Sequence, residues 1–399
     1  MVLAFLTELG YGFLRLFMNP VFYMAFILSF VLAFRRIHKE RLHFHTRVYD
    51  VVTNLYQMLI PGLIAGFILY GLFIGLGLML SEGIIVLLMA VTMLFGLTLR
   101  PRFLSPAFVI FFTTVIIVFM PKWEVNHAVL NRWMEGIQVA FLPYLFLLMT
   151  IFLIAEAMLI MFQAKRSSSP RRVIGKRGKP IGGFATESLW LVPTFLLIPG
   201  SGLERLEWWP FFGMGESFAF IFVPFLIGYE QFQTYDLPVR ALRRDGKRLA
   251  VIAFVALPLA VFALLYDWLV IAFLGMALLS FCRVALYVHE RKQNARRPAL
   301  YTLRNQGVQI LAIVPKSPAA DMNVKVGEVI RRVNGIEVNN AIQFYEALQT
   351  SPTFFKLDVL DEHGELRFEQ RALYENEHHA LGLLFVDKPR AKYSEAEEA

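Results

Sequence analysis

The sequence predicts an α-helical polytopic membrane protein carrying a small α+β domain on its cytoplasmic side. Three observations lead there. Apolar residues make up 57% of the 399 residues and charged residues only 18%, far from the balance of a soluble domain. Apolar runs of bilayer-crossing length recur through residue 287. Residues 307–348 then switch to the short strand, turn and helix periods of a water-soluble module. The one cysteine, Cys282, excludes an intrachain disulfide.

Residues 1–18 form an apolar arm interrupted by Glu8 and Arg15, which reads as an interfacial or half-inserted helix. No basic region precedes it, so it is expected to be retained rather than removed as a leader. The membrane domain covers 19–287, with spans expected at 19–34, 57–80, 83–99, 104–120, 137–162, 184–200, 211–228, 249–266 and 268–287. The weakest is 184–200. It holds Glu187, Pro193 and Pro199, so it also reads as a re-entrant segment that forms a broken unit with 211–228. The count therefore lies between six and nine. Gly62, Gly66, Gly71, Gly75 and Gly77 suggest a helix-packing surface. Residues 288–298 are a basic linker, 299–388 the soluble domain and 389–399 an acidic, solvated tail with Glu395, Glu397 and Glu398.

Loop charge orients these spans. Basic loops run from Arg35 to Arg47, at Arg100 and Arg102, from Lys165 to Lys179, from Arg240 to Arg248, and from Arg283 to Arg297. The loops between them (Ser81-Glu82, Lys122 to Glu135, Ser201 to Trp209, and Asp267) are short or mixed. Because lysine and arginine accumulate on the cytoplasmic side, the N-terminus is expected outside and the soluble domain inside. Trp208, Trp209 and Trp268 read as outer interface anchors. The same basic loops would meet acidic lipid or acidic partner surfaces, although ordinary orientation bias explains them as well.

Within the soluble domain, Val308, Ile310, Ala312 and Val314 alternate as in a strand, which Pro315 stops. Ser317 at an N-cap and Pro318 at the first helical position announce a short helix ending near Asn323. A second strand starts at Gly327-Glu328, and Asn334-Gly335 supplies a tight hairpin turn. Asn340 caps a helix with Ala341, Phe344, Tyr345 and Leu348 on one face. Residues 357–360 and 366–369 close with two strands around His363-Gly364.

Catalytic signatures are missing. His289-Glu290-Arg291-Lys292-Gln293 lacks the second histidine of a zinc protease helix, and Gly175-Lys176-Arg177-Gly178-Lys179 lacks phosphate-loop spacing. No enzyme activity, metal or cofactor is expected. Transport is the stronger rival, because ionisable groups within spans are costly and often functional. The candidates are Glu156, Glu216 and Arg283. Glu156 also reads as reaching toward Lys165 and Arg166 at the interface, Glu216 as doing likewise outside, and no inverted repeat is visible.

The run Gly307, Ser317-Pro318-Ala319, Gly327-Glu328 and Asn334-Gly335 resembles a PDZ domain of the bacterial type, with Asn323 where that family usually has glycine and Glu328 where aspartate is commoner. The resemblance implies peptide binding by strand addition. Only Leu300 to Gln306 precede the first strand, too few for the family's carboxylate loop. Leu381-Gly382-Leu383-Leu384-Phe385 is similar to that loop and its strand, displaced to the C-terminal end as in a circularly permuted order. The alternative is a plain edge strand. On the permuted reading, the groove lies between Leu381–Phe385 and the helix bearing Ala341, Phe344, Tyr345 and Leu348.

Phe44-His45-Thr46-Arg47, Leu59-Ile60-Pro61-Gly62-Leu63 and the overall layout resemble the MinJ family of cell-division topology factors of Gram-positive rods. That resemblance implies a membrane scaffold, enriched at septum and poles, that bridges the pole-marking protein DivIVA to the membrane ATPase MinD and meets other division proteins. Homo-oligomerisation is compatible, and no nucleic-acid partner is expected. A transporter with a regulatory PDZ domain and a non-catalytic regulator of a membrane protease are the alternatives.

Overall fold

A computed structural model describes residues 2–120, 126–163, 168–204, 209–212, 217–351, 354–361, 363–372 and 381–386. Lys165, Arg166, Trp208, Glu216 and the expected tail 389–399 lie outside the described residues.

The chain opens with helices α1 (Val2–Met18), α2 (Pro20–Phe44), α3 (Val51–Leu76), α4 (Glu82–Gly96), α5 (Pro106–Phe119), α6 (Ala128–Gly136) and α7 (Leu142–Gln163). Strands β1 (Ser169–Ile174), β2 (Pro180–Glu204) and β3 (Ser217–Gln233) follow, then α8 (Pro238–Leu265) and α9 (Leu269–Arg296). The C-terminal part comprises β4 (Tyr301–Thr302), β5 (Val308–Ile313), β6 (Val329–Val333), β7 (Ile336–Glu337), α10 (Ala341–Gln349), β8 (Phe354–Leu360), β9 (Leu366–Ala372) and β10 (Leu383–Phe385).

The helix starts follow from local chemistry. Asn19 accepts a hydrogen bond from the Val21 amide at 3.0 Å ahead of Pro20, and Ser81 does the same for Ile84 at 3.3 Å. Gly77, at φ 69°, ends α3 in the left-handed conformation. Among the described residues, five helical segments, at α2, α3, α7, α8 and α9, are long and apolar enough to cross a membrane; α4 and α5 are apolar but only 15 and 14 residues long. The chain is a membrane protein. α9 also continues to Arg296, through most of the expected linker 288–298, because Glu290 on its last turns is held by Arg248 at 2.6 Å.

The two remaining expected spans are not helices. Residues 184–200 lie in β2, and the described part of 211–228 beyond residue 216 lies in β3. The strands pair antiparallel from Phe184↔Gln233 to Ile198↔Ala219. Their residues account for it: aromatic and β-branched side chains dominate Phe218-Ala219-Phe220-Ile221-Phe222-Val223. Pro193 and Pro224 oppose one another. At these two positions only β2 and β3 pair, so each is locally an edge, where proline is tolerated.

At about 3.4 Å per residue the ribbon from Phe184 to Ile198 runs roughly 48 Å, a length similar to the ~39 Å of α3 at 1.5 Å rise. β1 pairs with β2 as far as Ala185 and Met79 bridges to Leu197; between them the main chain is covered by helices. A Cβ at Gly62 would collide with the Leu191 carbonyl and one at Gly66 with that of Pro193, so α3 rests directly on β2. On β3, Arg15 of α1 donates to the Phe220 carbonyl at 3.2 Å, and Gly228 admits the Pro101 carbonyl. Ribbon, α3, α4, α5, α7, α8 and α9 share one apolar core containing Phe73, Phe146, Phe152, Trp190 and Val192.

The C-terminal part is a second sheet, ordered β10-β5-β6-β8-β9 with β7 beside β6. α10 covers one face through Phe344, Ala347 and Leu348. Asn334 and Gly335 adopt φ 52° and 83°, as the expected turn requires, and Asn340 caps α10 by accepting from Gln343 N at 2.8 Å. The helix expected after Ser317 is a four-residue 3-10 turn, Pro318–Asp321, and Ser317 makes no capping bond with its side chain. The segment ends before Asn323 because Met322 is already extended.

Candidate functional site

The residues expected to line a peptide groove meet around β10. Gly382, at φ 82°, turns the chain into the strand, and a Cβ there would collide with the Ser317 side chain. Leu381 O accepts from Ala319 N at 3.0 Å and Gly382 O from Val314 N at 2.8 Å. β10 then pairs with β5 through Leu383↔Ile313, Leu384↔Ala312 and Phe385↔Ile310. Its other edge faces α10. The Phe385 and Phe344 rings meet edge-on at 4.8 Å, and the Tyr345 hydroxyl lies 3.5 Å from Leu383 O. Burial in this apolar setting raises the Tyr345 phenol above its ordinary pKa.

The expected groove residues divide by depth. Leu381, Leu383, Phe385, Phe344 and Leu348 are buried in the domain core, whereas Ala341 and Tyr345 are only half-buried at the rim. The expected fold-signature residues have local roles. Gly307 and Gly327 adopt φ 81° and 101°. Glu328, buried, accepts from Lys325 N at 2.8 Å and from Arg367 at 2.6 Å, so the longer side chain bridges the loop before β6 to β9. Ala319 is buried in the core behind Pro318.

Leu384 points the other way. With Leu311, Ala312 and Val386 it packs on Val48, Phe184 and Tyr301, so the second face of the sheet is docked on the base of the ribbon. Tyr301 and Thr302 add β4 to β2 opposite Gly182 and Ile181. Gly182 makes the approach possible: a Cβ there would lie 2.6 Å from Leu311 Cδ1 and 2.9 Å from Val386 Cγ2. Glu40, fully buried nearby, accepts from Val48 N and Ser169 Oγ, both at 2.7 Å.

A second polar cluster lies among the helices. Glu156 does not reach toward an interface. It is fully buried, accepting from Ser105 Oγ at 2.6 Å and from Arg283 at 2.8 Å. Arg283 lies 3.9 Å from Asp245, which accepts from the Tyr229 hydroxyl at 2.8 Å. Below it, Glu290 meets Arg248, Arg244 and Tyr235. The cluster ties α5, α7, α8, α9 and β3 together, and buried charges need such partners.

No protein-family model matches the chain, and no solved structure does. Among curated proteins, the cell division topological determinant MinJ of Bacillus subtilis strain 168 is 35% identical over 376 residues, 94% of each chain. This chain belongs to the MinJ family. A protein of Lacticaseibacillus paracasei described as "Probable cell division topological determinant MinJ" is 26% identical over 224 residues, covering 54% of this chain and 58% of that one.

The MinJ-family chain thus holds two features that its sequence did not announce. Asp245 and Tyr229 complete the buried cluster, yet Asp245 sits in a basic loop of the sequence and reads there as a solvated charge. Gly182 and Tyr301 dock the domain, and only the glycine pair Gly182-Gly183 hinted at close backbone approach.

Proposed function

We propose that the chain is a membrane scaffold of the division machinery whose C-terminal domain is PDZ-like, permuted and cytoplasmic. It bridges a DivIVA-like marker of poles and septa to a MinD-like ATPase and so confines division inhibition to those places. The observation that carries the reading is β10: an edge strand entered through Gly382, flanked by α10, on a sheet anchored to the membrane domain. An added peptide strand would run between β10 and α10, replacing the Tyr345 contact to Leu383 O. The ribbon supports the cytoplasmic assignment, since a crossing and a return leave the loops on the sides that their lysines and arginines favour. Holding both partners on one chain raises the effective concentration of the second.

The test places a large charged group at the groove rim. In growing cells, tagged full-length chain carrying Ala341→Arg should still reach septa and poles, while the MinD-like protein disperses. Uniform membrane signal for the unmodified chain, with normal division after its deletion, would sink the scaffold reading. Transport stays in view because of the Glu156–Arg283–Asp245 cluster. Glu156→Gln should leave a scaffold's localisation intact but abolish coupled transport.

A further inference from the structure

β9 is the outer strand of the C-terminal sheet, three strand spacings or about 14 Å from β5. Among the described strands it pairs with β8 alone. It is seven residues long, and it exposes Leu366 and Phe368 at 49% and 59%. Phe354 on β8, 43% exposed, lies on the same face as Phe368. Such an edge normally invites another strand.

Hydrogen-bond parity identifies the free groups. Asp361 N donates to Glu365 O at 3.1 Å, which makes that pair hydrogen-bonded; the alternation then turns Arg367, Glu369 and Arg371 toward β8. On the other side, Asn334 N donates to Lys356 O, so Lys356 faces β6, in agreement. The main-chain groups of Leu366, Phe368, Gln370 and Ala372 therefore point outward, along the free edge.

We propose that this edge pairs with the same edge of a second copy, antiparallel about a two-fold axis at Phe368. In that register Phe368 opposes Phe368, and Leu366 opposes Gln370 on either side. Each of these is a hydrogen-bonded pair and exchanges two main-chain bonds, so the outward groups of all three residues are satisfied. Between them, Arg367 opposes the second copy's Glu369, and Glu365 opposes its Arg371. Shifting the axis to Arg367 or to Glu369 destroys this: it sets Arg367 against Arg367 and Glu365 against Glu369, or Glu369 against Glu369 and Arg367 against Arg371. Like charges directly opposite are unfavourable. Charge complementarity thus favours a second copy of this edge, and the register centred on Phe368 makes more opposite-charge pairs than an axis at Leu366 or at Gln370, which keeps only Glu365 against Arg367 or Glu369 against Arg371. Within its own chain Arg367 donates to Glu328 and to Asn323 O, and Arg371 to Pro318 O and Asp321.

The experiment uses the full chain in its membrane with Cys282→Ser, which removes the one native cysteine. Hydrogen-bonded antiparallel pairs hold Cα atoms about 5.5 Å apart, within disulfide range. Phe368→Cys should therefore crosslink to a dimer under mild oxidation at least tenfold faster than Ile342→Cys on α10, which is 55% exposed. Leu366→Cys and Gln370→Cys chains expressed together should crosslink to one another. Adding Glu369→Arg to Phe368→Cys should slow dimer formation about tenfold. Crosslinking of Phe368→Cys no faster than Ile342→Cys, or insensitivity to Glu369→Arg, would overturn the proposal. So would a crosslinked product whose mass is not twice that of the chain.

Discussion

At the scale of single residues, the buried cluster is where a substitution should act most sharply. Arg283 faces two carboxylates, Glu156 and Asp245, in a region from which water is excluded. Its loss leaves both without a cation, whereas loss of the Glu156 charge leaves Asp245 to balance Arg283. Breaking a buried pair by removing one partner costs about 3–5 kcal/mol. Arg283→Met should therefore lower stability by about that amount, and Glu156→Gln by clearly less, as measured by thermal unfolding of the detergent-purified chain. Equal losses would show that the two carboxylates do not share the guanidinium. Both ionic residues of the central pair stood out in the sequence as charges within apolar runs. Their pairing did not, because Glu156 and Arg283 are 127 positions apart and only the packing of α7 against α9 brings them to 2.8 Å.

At the scale of elements, the five long spans were legible because a helix of bilayer length needs only an unbroken apolar run. The ribbon was not. Hydropathy sums side chains without regard to period, so the runs 184–200 and 211–228 score as spans whatever backbone they adopt. A signal that separates strand from helix was present in the phenylalanine-rich run of β3, whereas proline does not separate them, since Pro61 and Pro258 sit inside α3 and α8. The glycines of α3 show the same gap between pattern and packing. Gly62 and Gly66 lie against β2 main chain, but a Cβ at Gly71 or Gly75 would meet nothing within 4 Å. Gly62→Ala should then force α3 off the ribbon and cost about 1–3 kcal/mol through overpacking. Gly71→Ala, on the same helix, should be neutral or slightly stabilising, since alanine favours helix by about 1 kcal/mol over glycine. Chemical denaturation of the two variants side by side checks this, and equal behaviour would mean that the close approach of α3 to β2 is not what stabilises the pair.

At the scale of the whole molecule, the question is whether the C-terminal domain is held or merely tethered. The difference matters for the proposed scaffold, because a domain fixed at the membrane presents a given surface in one direction, while one on a flexible linker samples a volume set by linker length. The order of elements in this domain was largely legible, from Asn334-Gly335 through the Asn340 cap, because turns and caps depend on local chemistry. Its docking was not, because the contact joins residues far apart in the chain: Leu311, Leu384 and Val386 from the domain, Val48 and Phe184 from the membrane side, and Tyr301 between them. Gly182 is the position that tests it. Valine there would meet Leu311, Val386 and Tyr301 at distances of 2.6 to 2.9 Å from its Cβ alone. Relief requires the domain to move away, and with it β4 must leave β2. The expected outcome is faster proteolytic cutting between residues 297 and 307 in Gly182→Val than in the unmodified chain, by about tenfold, as expected if ~1.4 kcal/mol of docking free energy is lost. The unfolding temperature of the helices should hardly change. Lys176→Val, on the exposed turn between β1 and β2, controls for added bulk and should leave cutting unaltered. Unchanged cutting in Gly182→Val would show that the covalent connection, not the apolar contact, sets where the domain sits.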